Sequence, residues 1–361
     1  MQRSTSSVPQ RSGKPVILPV LLLLFTTAIA SAVAGATAST EKTTSLMDTG
    51  ECGNDFSHPP LKSGQFRKPE IRLPKRPAKG KAYRDPEIGV CISRLTDHDK
   101  EPPGRFARVY YSRSQPFNAD ETRILILDGE GAWHLYDARS LAYIKRLDLG
   151  GGSVEPHWHP TDPDVLYLLP NKGGLSLDAF HVGLEKRKQL VDFTDLRGIE
   201  DHEDANDIRD IWPDAARIWT RWEGSPSRDA RYWAFQVETE NEKPLGLIAF
   251  DLAEKRIVGS FDIRKVGRPD HVSMSPSGKF VVASWPEKAA DCPFLRRRGT
   301  LKKPCGVMSF TRTFDEAVGL AGKSPHSDIA IDAAGRDVIV IANYDSGNVE
   351  MIDLENGSTT P

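Results

Sequence analysis

Neither charge sign is in excess in this chain. Its 48 Lys and Arg stand against 50 Asp and Glu, for a net charge of −2, which excludes a generally basic nucleic-acid binder. Beyond the first residues no apolar run is long enough to span a bilayer. Little of the chain has the spacing of an amphipathic helix, which excludes helical repeats. Cysteine is scarce, 4 in 361 residues, and none of it forms a CxxC pair. A nucleophile elbow, a Walker loop and an HExxH pair are absent too, so the chemistries those motifs carry have no foothold.

What is present begins at the N-terminus. Arg3, Arg11 and Lys14 precede an apolar run from Val16 through Leu21–Leu24 to Phe25, followed by small residues ending at Ala36. A basic segment, an apolar segment and a small-residue zone make a signal peptide over 1–36, with the mature start near Ser39. The competing reading is a signal anchor, but Pro19 and the Thr26–Thr27 pair interrupt the run. Export places the protein outside the cell or in the periplasm, with no transmembrane segment after cleavage. Residues 37–83 include a Pro- and Lys-rich stretch without periodicity, Lys62 to Lys81, and are expected to form an extended arm. In an oxidising compartment the cysteines are expected to pair. Cys292 and Cys305 bracket one loop, which leaves Cys52 to tie the arm to Cys91; buried free thiols are the alternative.

From residue 84 to 361 one module recurs: a short strand, a polar turn, a second apolar strand, and a third strand ending in an apolar-Asp pair. It runs from Gln115 to Leu141, Glu155 to Gly183, Glu223 to Ile257, Asp270 to Phe310 and His326 to Gly357, with turns expected to start at Asn118, His159, Ser225, Ser275 and Asp332. Alternating runs rich in Val, Ile, Tyr and Phe between turn residues are strands. A period of about 40–45 residues makes them the blades of a β-propeller, an all-β, WD40-like fold of four-stranded blades. A two-sheet sandwich is the structural alternative, though it needs no common turn. Arg84 to His98 reads as the outer strand of a further blade.

The SPSG turn at Ser275–Gly278, the PTDPDVLY run at Pro160–Tyr167, the SRLTDH segment at Ser93–His98 and the DARYWAF run at Asp229–Phe235 resemble secreted propellers of the TolB type. More narrowly they resemble oligogalacturonate-lyase and ulvan-lyase propellers. The resemblance implies seven blades, so five visible modules suggest a ring unfinished at Pro361. It also implies a polysaccharide lyase using channel histidines with a metal, although no ligand motif matches position by position. TolB-type modules suggest a second reading, a non-enzymatic envelope propeller binding a protein or glycan partner.

Residues just before the first strand of each blade gather at one mouth of a propeller channel. That brings Gln115, Glu155 and His157, Arg221 and Glu223, Asp270 and His271, and His326 and Asp328 into one ring. Cleavage of a uronic-acid polysaccharide by β-elimination needs a cation on the carboxylate, a base and an acid. Arg221 is the candidate cation, His271 or His157 the base, and Tyr111 the acid. Gln115, Glu223 and His326 are candidates for holding an acidic polysaccharide or oligosaccharide. So are Arg296 and Arg297, in the basic loop Leu295–Pro304. His157, His271 and His326 are candidate ligands for a divalent ion, Mn, Zn or Ca. His159 stands where a turn serine is expected and reads as structural. The acidic stretch Glu200–Asp210 lacks EF-hand spacing and reads as a solvated loop. The tryptophans at blade starts read as packing between blades.

Overall fold

In a computed structural model, the described residues are Cys52, 76–86, 89–101, 104–170, 172–285, 298–299, 306–323, 326–343 and 347–360. The signal region, Arg296, Arg297, Cys292 and Cys305 lie outside them. Five antiparallel sheets follow one another along the chain as the blades of a β-propeller. Blade 1 comprises Ala107–Arg108, Arg123–Asp128, Trp133–Asp137 and Tyr143–Leu147. Blade 2 comprises Val154–Trp158, Val165–Pro170, Ser176–His181 and Lys186–Asp192. Blade 3 comprises Arg217–Trp219, Tyr232–Glu238, Pro244–Asp251 and Arg256–Asp262, extended by Gly198–Ile199 running parallel to the last strand. Blade 4 comprises His271–Met274, Phe280–Ser284, Val307–Thr311 and Ala317–Ala321, with Arg298–Gly299 added at its edge. Blade 5 comprises Ser327–Ile331, Asp337–Asn343, Asn348–Asp353 and Thr359–Thr360. Among the described residues there is no α-helix, and no helix long and apolar enough to cross a membrane.

The repeat works through its polar residues. At the first turn of each blade one side chain accepts from the backbone ahead of it. Asn118 accepts from the N–H of Thr122 and Arg123, Ser275 from Phe280, and Asp332 from Ala334 and Arg336. His159 does the same with Nδ1, accepting from Thr161 and Asp162. An imidazole nitrogen thus replaces the usual oxygen acceptor. In blade 3 the turn sits later than expected, because Ser227 rather than Ser225 accepts from Tyr232. The apolar-Asp pairs close the third strands in the same manner. Asp137 caps Arg139 and Ser140, Asp251 caps Ala253 and Glu254, and Asp353 caps Glu355 and Asn356.

Alternation along the strands gives each sheet two apolar faces, and these pack blade against blade. Leu125, Trp133 and Leu135 of blade 1 meet Leu166, Leu168 and Phe180 of blade 2. Tyr167 and Leu169 of blade 2 meet Trp233, Phe235 and Phe250 of blade 3. Leu247 and Ala249 meet Val272 and Met308 of blade 4, and Val282 and Leu320 meet Ile339 and Ile352 of blade 5. Trp158, Trp233 and Trp285 are buried in these interfaces. Asp337 adds a polar tie, accepting from Ser275 Oγ, Ser277 N and Ser277 Oγ across blades 4 and 5.

The free face of blade 1 is covered from the N-terminal side. Leu95 packs on Ile124, Ile126, Tyr136 and Leu141, and Tyr136 donates to the Glu101 carbonyl. Arg84–His98 is therefore not a blade strand. Among the described residues Cys91–Ser93 pairs only with Ala82–Arg84, in a separate hairpin closed by Asp85 N donating to the Val90 carbonyl and Gly89 N donating to the Asp85 carbonyl. A disulfide joins Cys91 to Cys52, as the spacing suggested, and ties the chain upstream to this strap. The expected Cys292–Cys305 pair lies outside the described residues.

Two of the capping aspartates, Asp137 and Asp251, are expected to make the fold acid-sensitive. Turn amides, led by that of Ser140, hold Asp137 below the usual carboxylate range. Burial pushes Asp251 up, but the Arg231 bond and the turn amides outweigh it, so it too is lowered. A depressed folded-state pKa gives stability that is complete above the unfolded value and is lost as pH falls through the folded one, here below about pH 4. Asp251→Asn is expected to cost about 1–3 kcal/mol at pH 7 and to flatten the loss of stability towards acid, measured by urea midpoints across pH. An unchanged acid slope would remove Asp251 from this account.

Candidate functional site

The site is built where blade 1 reaches across the channel. The first strand of blade 1 pairs at Ala107–Arg108, leaves the sheet, and returns at Phe117, which bridges Ile124. The intervening loop 109–115 touches blades 3 and 4. Tyr110 stacks on Trp222 with ring centres 4.6 Å apart, Ser114 Oγ donates to the Trp222 carbonyl, and Arg113 Nη1 lies 2.9 Å from Glu223 Oε2.

Blade 3 presents that surface through a kink. After Arg217–Trp219 the chain turns through Arg221 and Trp222, with φ of 61° and 77°. Left-handed backbone at non-glycine residues costs about 1–3 kcal/mol each and persists only where surroundings enforce it. The enforcement here is visible. Buried Glu155 of blade 2 accepts from Thr220 N and Thr220 Oγ1, and Thr220 Oγ1 accepts from Gly224 N. Arg221 Nε donates to the Asp270 carbonyl, and Val272 and Met274 donate to the carbonyls of Thr220 and Ser225. The kink thereby lies against the first strand of blade 4 and sets Glu223 beside His271.

Four ionisable side chains meet there. His271 is 6% exposed, and Arg113 and Glu223 are 11% and 12% exposed. Arg113 Nη1 stands 2.6 Å from His271 Nε2. A guanidinium only donates, and although Nη1 also lies 3.2 Å from Nδ1, Nε2 is the nearer nitrogen and is taken as the acceptor. Nδ1 lies 3.4 Å from Glu223 Oε2 and 3.9 Å from Asp270 Oδ2. The bond to His271 lowers Asp270's pKa, ahead of an opposing burial effect. Tyr111 joins this group. Burial first, then the charge and hydrogen bond of Glu223, raise its phenol above the ordinary range. Donor atoms of Glu223, Asp270 and His271 lie within 4.8 Å of one another, the one such grouping among the described residues. Two carboxylates and an imidazole suit a borderline divalent ion such as Mn or Zn.

These groups open on two adjoining clefts. One, of about 130 Å³, is lined by Arg113, Glu223, His271 and Asp328. The other, of about 350 Å³, is lined by Gln115, Phe117, His157 and His159. Ser225, Pro226 and Arg228 border both.

Of the residues singled out from the sequence, Glu223 and His271 lie side by side and Tyr111 lies near Glu223. Arg221 is not free to meet an anion. It lies 3.3 Å from the fully buried carboxylate of Glu238, and burial, then repulsion from Arg268, lower its pKa. The arginine beside His271 is Arg113, itself paired with Glu223; sequence reasoning missed it because it sits in an excursion of blade 1 rather than before a strand. His157 donates to Glu155 3.0 Å away and lies edge-on to Trp233. His326 is exposed ahead of blade 5. The three histidines His157, His271 and His326 form no common donor group among the described residues, because His157 and His271 line different clefts and His326 is exposed ahead of blade 5. The Glu200–Asp210 stretch forms a surface loop with one capped 3-10 turn, Ile208–Asp210.

No protein-family model and no curated protein matches this sequence. Among solved structures, an oligogalacturonate lyase in complex with manganese is 12% identical over 77% of this chain and 70% of its own, with a TM-score of 0.49. An oligogalacturonate lyase from Vibrio parahaemolyticus is 11% identical over 78% and 72%, at 0.44. The Cps50 propeller domain of Myceliophteria thermophila is 12% identical over 78% of each chain, at 0.41. At these values the likenesses carry no argument about chemistry, which rests on the side chains.

The kink is testable at Gly224. A Cβ there would stand 1.9 Å from the Val272 carbonyl oxygen and 2.6 Å from Thr220 Cβ. Gly224→Ala is expected to destabilise by about 3 kcal/mol or more through overpacking against backbone. Wild-type thermal stability in that variant would show that the kink and blade 4 are not locked together.

Proposed function

We propose that this is a secreted or periplasmic carbohydrate-active propeller that cleaves an acidic, uronic-acid polysaccharide or oligosaccharide by β-elimination. The observation that carries the reading is the convergence of Arg113 and His271 on Glu223 in one cleft, with Tyr111 near enough for the Glu223 carboxylate to raise its phenol's pKa. The Cys52–Cys91 disulfide and the N-terminal signal suit an oxidising compartment.

β-Elimination removes the proton α to a carboxylate, forms a carbon–carbon double bond and expels the oxygen on the β carbon. Arg113 is the cation nearest the base. When a substrate carboxylate draws its guanidinium away, a bidentate pair forms on the substrate and the Nε2 lone pair of His271 is released. His271 then takes the α-proton, the electron pair of that C–H bond becomes the double bond, and the β C–O bond breaks. Tyr111, kept protonated by its raised pKa, gives its proton to the leaving oxygen. The larger cleft, with Phe117 as an apolar platform and Gln115 at its edge, would hold the neighbouring sugar. Glu223 positions all three groups.

A second reading, a non-enzymatic propeller that binds a glycan or an envelope protein, is favoured by a different observation. The cleft beside His271 is smaller than the roughly 300–1,000 Å³ of most ligand pockets, and its arginine is already paired with Glu223.

Incubation with a panel of polyuronates separates the two. The lyase reading expects an unsaturated, ultraviolet-absorbing product, reduced about 10²–10⁴-fold by His271→Ala and by Tyr111→Phe. Arg221→Ala should affect the product less than Arg113→Ala. Saccharide binding without product in the wild type would select the binding module.

A further inference from the structure

Glu223, Asp270 and His271 group three donors suited to a cation, and the guanidinium of Arg113 is in contact with two of them. Its Nη1 lies 2.9 Å from Glu223 Oε2 and 2.6 Å from His271 Nε2, while the Asp270 carboxylate closes the group from the solvent side, 51% exposed. A divalent ion held about 2.0–2.2 Å from each donor requires donors no more than about 4.4 Å apart, and His271 Nδ1 already stands 3.4 Å from Glu223 Oε2 and 3.9 Å from Asp270 Oδ2. An ion at that point and Arg113 in its present position exclude each other by contact and by charge.

We propose that Arg113 is a tethered cation that competes with a divalent metal ion for Glu223, Asp270 and His271, so that the ion loads only as loop 109–115 withdraws. Arg113 is imperfectly held for a buried arginine. Its Nε is buried with no hydrogen-bond partner, so withdrawal relieves one desolvated donor while breaking the Glu223 pair. Residues 109–115 lie outside the sheet, which the chain leaves at Arg108 and rejoins where Leu125 N donates to the Pro116 carbonyl, so withdrawal has to release the contacts of Tyr110 and Ser114 with Trp222 and of Arg113 with Glu223 and His271. Loading consumes a lone pair of His271. The proposal builds on the elimination reading in one respect: with His271 as base, a bound ion is an inhibitor of cleavage rather than its cofactor.

The test is calorimetric titration of the whole protein with Mn²⁺ in the absence of saccharide. Arg113→Met is expected to bind Mn²⁺ at least about tenfold more tightly than wild type, and Arg113→Lys, which keeps a tethered charge, close to wild type. His271→Ala, combined with Arg113→Met, should abolish the gain. A second measurement needs no variant of Arg113. Tyr110 stacks on Trp222, so saturating Mn²⁺ should change the tryptophan emission of the wild type, and Trp222→Phe should remove that change. Arg113→Met binding Mn²⁺ no more tightly than wild type overturns the proposal, as does wild-type emission unmoved at saturation. Either failure leaves the elimination reading standing. Conversely, the absence of unsaturated product alongside the expected Mn²⁺ titrations overturns that reading alone.

Discussion

One ion pair holds the functional end of this molecule together: Arg113 of blade 1 with Glu223 of blade 3, 2.9 Å apart and nearly buried. Buried pairs carry a desolvation cost that attraction alone often fails to offset, so a pair of this kind persists where further hydrogen bonds complete it. Here His271 accepts a bond from the same guanidinium nitrogen, and its Nδ1 lies 3.4 Å from the same carboxylate oxygen. Blades 1, 3 and 4 are joined across the channel by that set, in addition to the apolar contacts each makes with its sequence neighbours. Breaking one partner would strand the other charge, which is why the cluster behaves as a unit rather than as separate candidate residues.

The pair stands on a strained support. Arg221 and Trp222 take left-handed backbone that neither prefers. Glu155 of blade 2 and the first strand of blade 4 hold them there, so three blades contribute to the position of one carboxylate. Charge elsewhere near the mouth is used differently. Glu238, whose pKa burial raises, is surrounded by Arg217, Arg221 and Arg268, and Trp219 Nε1 donates to it. That cluster fixes Arg221 and so explains why the arginine most visible in the sequence is structural, while the one in the blade 1 loop faces the cleft.

Much of this was legible before any coordinates. The blade period, the turn acceptors and the apolar-Asp caps are local patterns, and even His159 in a serine's place could be read from its position in the repeat. Pairing of Cys52 with Cys91 was one of three connectivities open to four cysteines, preferred because Cys292 and Cys305 bracket one loop. The misreadings share a cause. Arg84–His98 has strand composition, but its partner is the adjacent Ala82–Arg84, and composition does not choose between partners. Aligning residues before each first strand located Glu223 and His271 but also gathered His157 and His326, whose directions depend on which way a particular strand position faces. Arg113 had no signal of its own, since an excursion from a strand has no period. Asp270 had one, its place directly before His271 at the start of blade 4.

The account depends on Arg113 and Glu223 being coupled across the channel rather than merely adjacent. A double-mutant cycle on unfolding free energy, with Arg113→Met, Glu223→Gln and the double variant, measures that coupling directly. The account predicts an interaction of about 1.5–3 kcal/mol, with the double variant more stable than the sum of the single losses implies. Additive losses, with a coupling within about 0.3 kcal/mol of zero, would contradict it.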